Sequence, residues 1–379
     1  MRKIASHLVL TPQGLERNRL VVFDDNGTVL GVEECPAPDR MAGVEWYGGV
    51  LIPGMVNAHS HLELSYVQGC ITPHEGFSGF ARGLRASRHL ATPEFMRSRA
   101  EWWDAKMWSD GVQAVGDVCN DALTFELKSR SRIYYKSFVE LYGLAHKDTS
   151  AVDAVLDKAL EMGLDASITP HSLYLLCDEA YRAACGSERL SIHFDESPEE
   201  VELFERRGAM WEWYSSAGFR APFIDDYASP EERLLALTPS DRQVLLVHAC
   251  MADVATIKRV EAHFDNNPSW VVCPLSNDFI SQLMPPVEAL MECASKVAIG
   301  TDSLSSNTTL SMVAEMAAMP QVPLEVRLRW ATQGGAEALG LEQRLGEFRS
   351  GLQSGAVVIE GVDFESMQLT PQSLSRRIL

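Results

Sequence analysis

Leu51-Ile52-Pro53-Gly54-Met55-Val56-Asn57-Ala58-His59-Ser60-His61 is the stretch on which the fold turns. It is an apolar run that ends in H-x-H. On an extended chain, residues two apart face the same side, so both imidazoles project together where the run ends. Three further apolar runs end in the same manner: Ser191-Ile192-His193, Leu245-Leu246-Val247-His248 and Ala298-Ile299-Gly300-Thr301-Asp302. A single histidine at a strand end is ordinarily a hydrogen-bonded core residue. Ligand-type residues at the same end of four runs instead form a cluster. Imidazoles and a carboxylate suit one divalent ion, zinc first, with iron or manganese compatible with the same ligand types.

Outward from this stretch, short apolar runs recur near residues 52-58, 112-118, 133-140, 166-170, 190-194, 243-247, 270-273 and 296-300, each followed by a helical stretch. That alternation predicts an α/β fold, a (β/α)8 TIM barrel, whose active sites lie at the C-terminal ends of the strands. Ser197-Pro198-Glu199-Glu200 offers an N-cap, a proline at the first helical position and acids for the positive helix end. The 196-243 connection is the longest, and its Trp211, Trp213, Tyr214 and Phe219 read equally as a lid or pocket wall and as a helix packed on the barrel exterior.

A barrel needs about 250 residues, fewer than the 379 present. The excess is accounted for at the termini. Residues 8-10, 20-23 and 29-32 alternate like short strands, and Asn26-Gly27 is a hairpin turn signal. The first fifty residues therefore read as a small antiparallel sheet, to which Ala356-Val357-Val358-Ile359 returns. The expected organisation is a small β-sandwich domain from 1-50 plus 345-379, and a barrel over 51-344, interleaved without a linker.

Hydrophobic residues make up 46% and charged residues 22%, ordinary for a packed domain. The net charge of −19 is spread along the chain, which argues against nucleic acid and anionic membranes as partners. No apolar run reaches the ~18 residues of a membrane span, and nothing near the N-terminus addresses the chain out of the cytoplasm, so a cytoplasmic protein is expected. Eight cysteines without a C-x-x-C pair predict buried reduced thiols. A homo-oligomer is compatible with all of this.

The chain resembles the amidohydrolase superfamily, in its aminohydrolase (deaminase and chlorohydrolase) branch. The resemblance runs through P-G-M-V-N-A-H-S-H at 53-61, H-F-D-E at 193-196, V-H-A-C at 247-250, C-P-L-S-N at 273-277, G-T-D-S at 300-303, S-N-T-T-L at 306-310 and A-T-x-G-G-A-x-A-L-G-L at 331-341. It implies that His59, His61, His193 and Asp302 hold the metal. It also implies that His248 orients the attacking water or closes the coordination sphere, that Asp302 accepts the water's proton, and that Glu196 shuttles protons. Binuclear members carry a carboxylated lysine at the end of the fourth strand. Here that position reads Ser167-Ile168-Thr169-Pro170-His171, so a single ion is expected. His171 aligns with a histidine that in deaminase-like relatives reaches the substrate, and Asn277 reads as a structural or substrate-loop residue. The family's terminal G-K-x-A-D-L-V-V is Gly351-Leu352-Gln353-Ser354-Gly355-Ala356-Val357-Val358 here, a departure within the sheet and away from the mouth.

The implied reaction is hydrolytic deamination of an amino-substituted heterocycle, an aminopurine or purine nucleoside, with release of ammonia. The local His61-Leu62-Glu63-Leu64-Ser65 is similar to aminodeoxyfutalosine deaminase-like members. Glu63 reads there either as a substrate contact or as a salt bridge within the loop. The alternatives are an amidohydrolase or chlorohydrolase acting on a cyclic amide or halogenated ring, and, more remotely, a non-enzymatic scaffold. The small nucleobase deaminases are a different case, because their H-x-E and P-C-x-x-C zinc site has no counterpart here.

Overall fold

The structure, a computed structural model, describes residues 1–37, 41–219 and 221–379. Its strands in chain order are β1 (Arg2–Thr11), β2 (Gly14–Glu16), β3 (Arg19–Phe23), β4 (Val29–Glu34), β5 (Val44–Ile52), β6 (Met55–Ser60), β7 (Val112–Cys119), β8 (Tyr134–Leu141), β9 (Asp165–Pro170), β10 (Arg189–Phe194), β11 (Gln243–His248), β12 (Ser269–Val272), β13 (Lys296–Ile299), β14 (Val357–Asp363) and β15 (Gln368–Arg377). Strands β6 to β13 fall within a residue or two of the eight runs expected from sequence, except at the start of the first. Leu51 and Ile52 belong to β5, in another sheet, because Pro53-Gly54 breaks the strand between them and Met55.

The terminal strands form one seven-stranded sheet in the order β15-β14-β5-β1-β3-β4, with β2 on β1. The expected return of residues 356-359 is met, since β14 pairs with β5. The expectation of a purely antiparallel sheet is not: β5 lies on the opposite side of β1 from the β3–β4 hairpin and runs parallel to β1. Side chains alternate between its faces. Ile4, Val9, Val21, Phe23 and Leu51 pack with Phe348 in one buried cluster, and Ala5, Leu20 and Val22 in another.

The other eight strands form two four-stranded parallel sheets, β6-β7-β8-β9 and β10-β11-β12-β13. Their edges touch through single bridges, Ser60 with Asp302 and Ser172 with His193. Their alternation also divides the core. Val56, Ala58, Ala114, Val118, Phe138, Leu245, Val247, Val271 and Ala298 make one cluster, while Val115, Val139, Ile192, Leu246, Val272 and Ile299 join a larger one with the helices. Among the described residues no helix is long and apolar enough to cross a membrane. All eight cysteines are unpaired, but only Cys119, Cys177, Cys185 and Cys273 are buried; Cys70 is exposed and the other three are half-buried, so the expectation of buried thiols holds for half of them.

One ion pair in this core supports the site. Lys128, on the short helix Phe125–Arg130, places its Nζ 2.6 Å from Asp117 Oδ2, and both side chains are wholly buried. The other oxygen, Asp117 Oδ1, accepts from the backbone nitrogen of Leu62 at 2.7 Å, next to His61. Lys128→Met strands a buried carboxylate and is expected to cost about 3–5 kcal/mol. Urea denaturation measures it, and Lys128→Met/Asp117→Asn should regain much of the loss. A single-variant loss below about 1 kcal/mol would mean that the pair contributes no more than an ordinary hydrogen bond.

Candidate metal and substrate site

The two strands that open and close the parallel series meet at His59. Its carbonyl accepts from the backbone nitrogens of Thr301 and Asp302 at 3.0 and 3.1 Å. Asn57, fully buried, donates to Thr301 Oγ1 at 2.7 Å and accepts from the Thr301 nitrogen at 3.1 Å. This lock brings the Asp302 carboxylate against the H-x-H pair: Asp302 Oδ1 lies 3.7 Å from His59 Nε2 and 3.5 Å from His61 Nε2. Asp302 is oriented further by Ser276 Oγ at 2.6 Å, Ser306 Oγ at 2.9 Å and its neighbour's backbone nitrogen, Ser303 N, at 2.7 Å.

His193 and His248 arrive from β10 and β11. His193 Nδ1 is 3.0 Å from the His171 carbonyl and His248 Nδ1 is 2.7 Å from Asn277 Oδ1, so each has its second nitrogen left for the cluster. The ligand atoms of His59, His193 and His248 lie within 4.8 Å of one another, as do those of His59, His61 and Asp302. Both ring nitrogens of His59 and Nε2 of His248 are buried with no hydrogen-bond partner.

Burial lowers the proton affinity of three of these imidazoles. It takes His61 and His248 to about 4 and His193 well below its ordinary value, helped by neighbouring imidazoles. Burial pushes Asp302 the other way, but His59, His61 and His248 overcome it and hold the carboxyl well below the usual range. Neutral imidazoles with free nitrogens, beside an ionised carboxylate, are the donor set a divalent ion requires.

Glu196 follows three residues after His193. Tyr174 donates to its Oε2 at 2.8 Å, its backbone nitrogen is held by Glu200 Oε2 at 2.9 Å, and its Oε1 is 3.7 Å from His248 Nε2. Burial and then the Asp302 charge push it up to about 8, so the carboxyl is protonated at neutral pH. The expected helix after it is present as Pro198–Phe204, but Ser197 at its cap position makes no side-chain capping bond. Glu200, in the helix's first turn, reaches back to the chain instead.

Beside the cluster lies a cavity of about 350 Å³. Phe77, Phe80, Leu84, Leu175 and Trp213 give it an apolar wall, and Arg88, Asn120, Glu140, Tyr142 and His171 a polar one. Trp213, on the helix Gly208–Ala217, is thus a wall residue of the long connection. His171 is at the cavity as expected, stacked on His193 with ring centres 4.6 Å apart. Glu63 is not among the cavity's lining residues. Both carboxylate oxygens of Glu63, on the short helical turn Leu62–Val67, accept from the Asn120 backbone nitrogen at 3.1 Å. Asn277 orients His248. The sequence reading missed Glu140, which ends the run Ser137-Phe138-Val139-Glu140 as the ligand-type residues end theirs. It also missed Asn57, a polar residue inside an apolar run.

Parallel strands that deliver imidazoles and a carboxylate to one end define an α/β protein with a metal-type site. The chain belongs to the amidohydrolase family, whose profile matches residues 50–374. It is 27% identical to the 5-methylthioadenosine/S-adenosylhomocysteine deaminase of Halobacterium salinarum, over 97% of this chain and 85% of that one. Among solved structures it superposes on Helicobacter pylori aminofutalosine deaminase in complex with methylthio-coformycin with a TM-score of 0.83 at 21% identity, covering all of both chains. It also matches an adenosine deaminase of Xanthomonas campestris with bound zinc, at a TM-score of 0.74 and 20% identity over 98% of this chain and 86% of that one.

Metal titration of the chelator-stripped protein is expected to saturate at about one equivalent of divalent ion per chain. Asp302→Ala should lose most of that binding and His248→Ala less of it. Two tight equivalents would defeat the single-ion expectation, and equal losses would put His248 among the ligands.

Proposed function

We propose that the protein is a metal-dependent hydrolytic deaminase of an aminopurine nucleoside or a close relative, among which aminodeoxyfutalosine is a candidate. In this reading β6 to β13 close into a (β/α)8 barrel over 51-344, supported by the two edge bridges, and 1-50 with 345-379 form a small β domain built on the seven-stranded sheet rather than the expected sandwich of two sheets. His59, His61, His193 and Asp302 would hold one ion, zinc by ligand type and by likeness to the zinc-bound neighbour. Such an ion supplies Lewis-acid activation of water, lowering its pKa toward about 7.

The observation that carries the reading is Glu196: a buried carboxyl 3.7 Å from His248 Nε2, bonded by Tyr174, with its backbone nitrogen held by Glu200 and its proton affinity raised by burial. A proton donor of this kind is what an amidine carbon needs, since attack by water places charge on the neighbouring ring nitrogen. His248, fixed by Asn277, orients the attacking water, and Asp302 accepts its proton. Glu196 protonates the ring nitrogen, regains a proton originating from the water, and passes one to the departing amine. A C–O bond forms, the C–N bond breaks, and a ring carbonyl and ammonia result. Displacement of a good leaving group from a halogenated ring has less need of Glu196. Phe77, Phe80 and Trp213 provide flat apolar surface for the base or its substituent.

Ammonia release from adenosine, 5'-methylthioadenosine, S-adenosylhomocysteine and aminodeoxyfutalosine by the zinc-loaded protein tests the assignment. Glu196→Gln keeps the shape but cannot shuttle, so kcat should fall at least ~10²-fold with metal content unchanged. Near-normal turnover, or loss of the metal, would show that Glu196 has another role.

A further inference from the structure

Glu140, the last residue but one of β8, lines the cavity, and its side chain is almost wholly buried. One oxygen is occupied, since Asn120 Nδ2 donates to Oε2 at 2.8 Å. The other, Oε1, has no hydrogen-bond partner. It lies 3.9 Å from His171 Nε2 and 3.8 Å from His193 Nδ1, beyond hydrogen-bond reach of either. A buried acceptor left open in this way costs about 1–3 kcal/mol unless something binds it.

The surroundings narrow what that can be. Asn120 is fixed from behind by Glu63, and its side-chain oxygen accepts from Arg88 Nη2 at 3.2 Å, while Arg88 Nη1 donates to Tyr142 at 3.3 Å. The chain Glu63, Asn120, Glu140 thus holds the open oxygen in one place. A carboxylate on the ligand would face Glu140, and an ammonium would lie near the Arg88 guanidinium, so neither charge is favoured. The His171 imidazole lies beside the open oxygen, its Nδ1 also buried with no hydrogen-bond partner, and a neutral imidazole offers one N–H and one lone pair. A hydroxyl group answers both neighbours, donating to Glu140 and accepting from His171.

We propose that Glu140 is a specificity-determining residue whose free oxygen receives a sugar hydroxyl of the substrate, with Asn120 and Glu63 as the residues that position it. This rests on the nucleoside deaminase reading, and it names the part of the substrate that the polar wall reads. It also gives Glu63 a use that the sequence did not reveal.

The test compares adenosine, 2'-deoxyadenosine and 3'-deoxyadenosine on the zinc-loaded enzyme and on Glu140→Gln and Asn120→Ala. The wild-type protein should prefer adenosine over at least one deoxynucleoside by about tenfold or more in kcat/KM, the scale of leaving a buried acceptor unpaired. Glu140→Gln should erase most of that preference by slowing adenosine, leaving the disfavoured deoxynucleoside within about threefold. Asn120→Ala should move selectivity in the same direction. Calorimetric binding of the three nucleosides to Glu196→Gln, with and without Glu140→Gln, should repeat the pattern without turnover. Equal slowing of all three nucleosides, or metal loss on Glu140→Gln, would overturn the proposal in favour of a role in holding His193 or the ion. A wild-type enzyme that releases ammonia from none of these nucleosides, nor from 5'-methylthioadenosine, S-adenosylhomocysteine or aminodeoxyfutalosine, overturns the deaminase reading and this inference with it, whereas turnover with unchanged selectivity overturns this inference alone.

Discussion

The contact on which the rest depends is the polar lock between β6 and the residues after β13. Asn57, the His59 carbonyl, Thr301 and the Asp302 backbone nitrogen bond to one another in the buried interior. Each such bond contributes only about 1 kcal/mol, but leaving one of its groups unpaired costs more, so the lock tolerates one geometry and no other. Glycine makes the approach feasible. A Cβ at Gly300 would stand 2.8 Å from His59 Cβ and 2.9 Å from its carbonyl oxygen. Gly334 and Gly335 act alike from the helical segment behind, where added carbons would meet the carbonyls of Val297 and Val56 at 2.0 and 2.6 Å. The paired glycines of the 331-341 motif therefore serve the same junction as the histidines, seating a helix against the two strands that bring His59 to Asp302.

That junction concentrates negative charge in a place where water cannot screen it. Burial pushes Glu196, Glu63 and Glu315 up to about 8 each, while Asp302 stays ionised because imidazoles face it. Lys128, a fully buried cation, is committed to Asp117. A divalent ion at the histidines would be the largest positive charge in the region and would relieve it, so metal binding and stability should be coupled. It would also bear on which neighbouring carboxyls keep their protons. The carboxyl that keeps its proton most usefully is Glu196, whose Tyr174 partner leaves Oε1 free toward the cluster.

Much of this could be read from the sequence because strand ends are short-range features. An apolar run that stops at His59, His193, His248 or Asp302 announces both a strand and the direction of its last side chain, and the eight runs lie where the strands do. What escaped depends on contacts far apart in the chain. The parallel pairing of β1 with β5 is a matter of which side of β1 the returning chain takes, and alternation carries no trace of that. Strand β15, with its exposed and polar residues, lacks the apolar signature altogether. Glu63 read as a substrate contact or a salt bridge within its loop, yet its carboxylate bonds the backbone of Asn120, fifty-seven positions on. Glu140 had the same strand-end signal as the histidines. It was missed because a carboxylate there has no part in the metal motif.

The strand ends also explain how a rigid site and an adaptable one share a mouth. Asp195, His248, Ala249 and Asp302 all have left-handed backbone conformations, with φ between 48° and 79°, which cost of order 1–3 kcal/mol at residues other than glycine. Each lies where its strand stops and the chain must turn sharply, and several are fastened there: the Ala249 nitrogen to Phe194, the Met251 nitrogen to Asp195, the Asp302 nitrogen to His59. Strain held in place by backbone bonds is what keeps imidazoles and carboxyls converging when nothing is bound. The apolar wall has a different origin. Phe77, Phe80 and Leu84 come from the helix Gly76–Ser87 and Trp213 from Gly208–Ala217, elements outside the strand ends and free to differ without disturbing the lock. Chemistry is thereby fixed by the strands and substrate choice by the loops and helices above them, with Glu140 and its anchor Asn120 as the place where a strand end itself takes part in the choice.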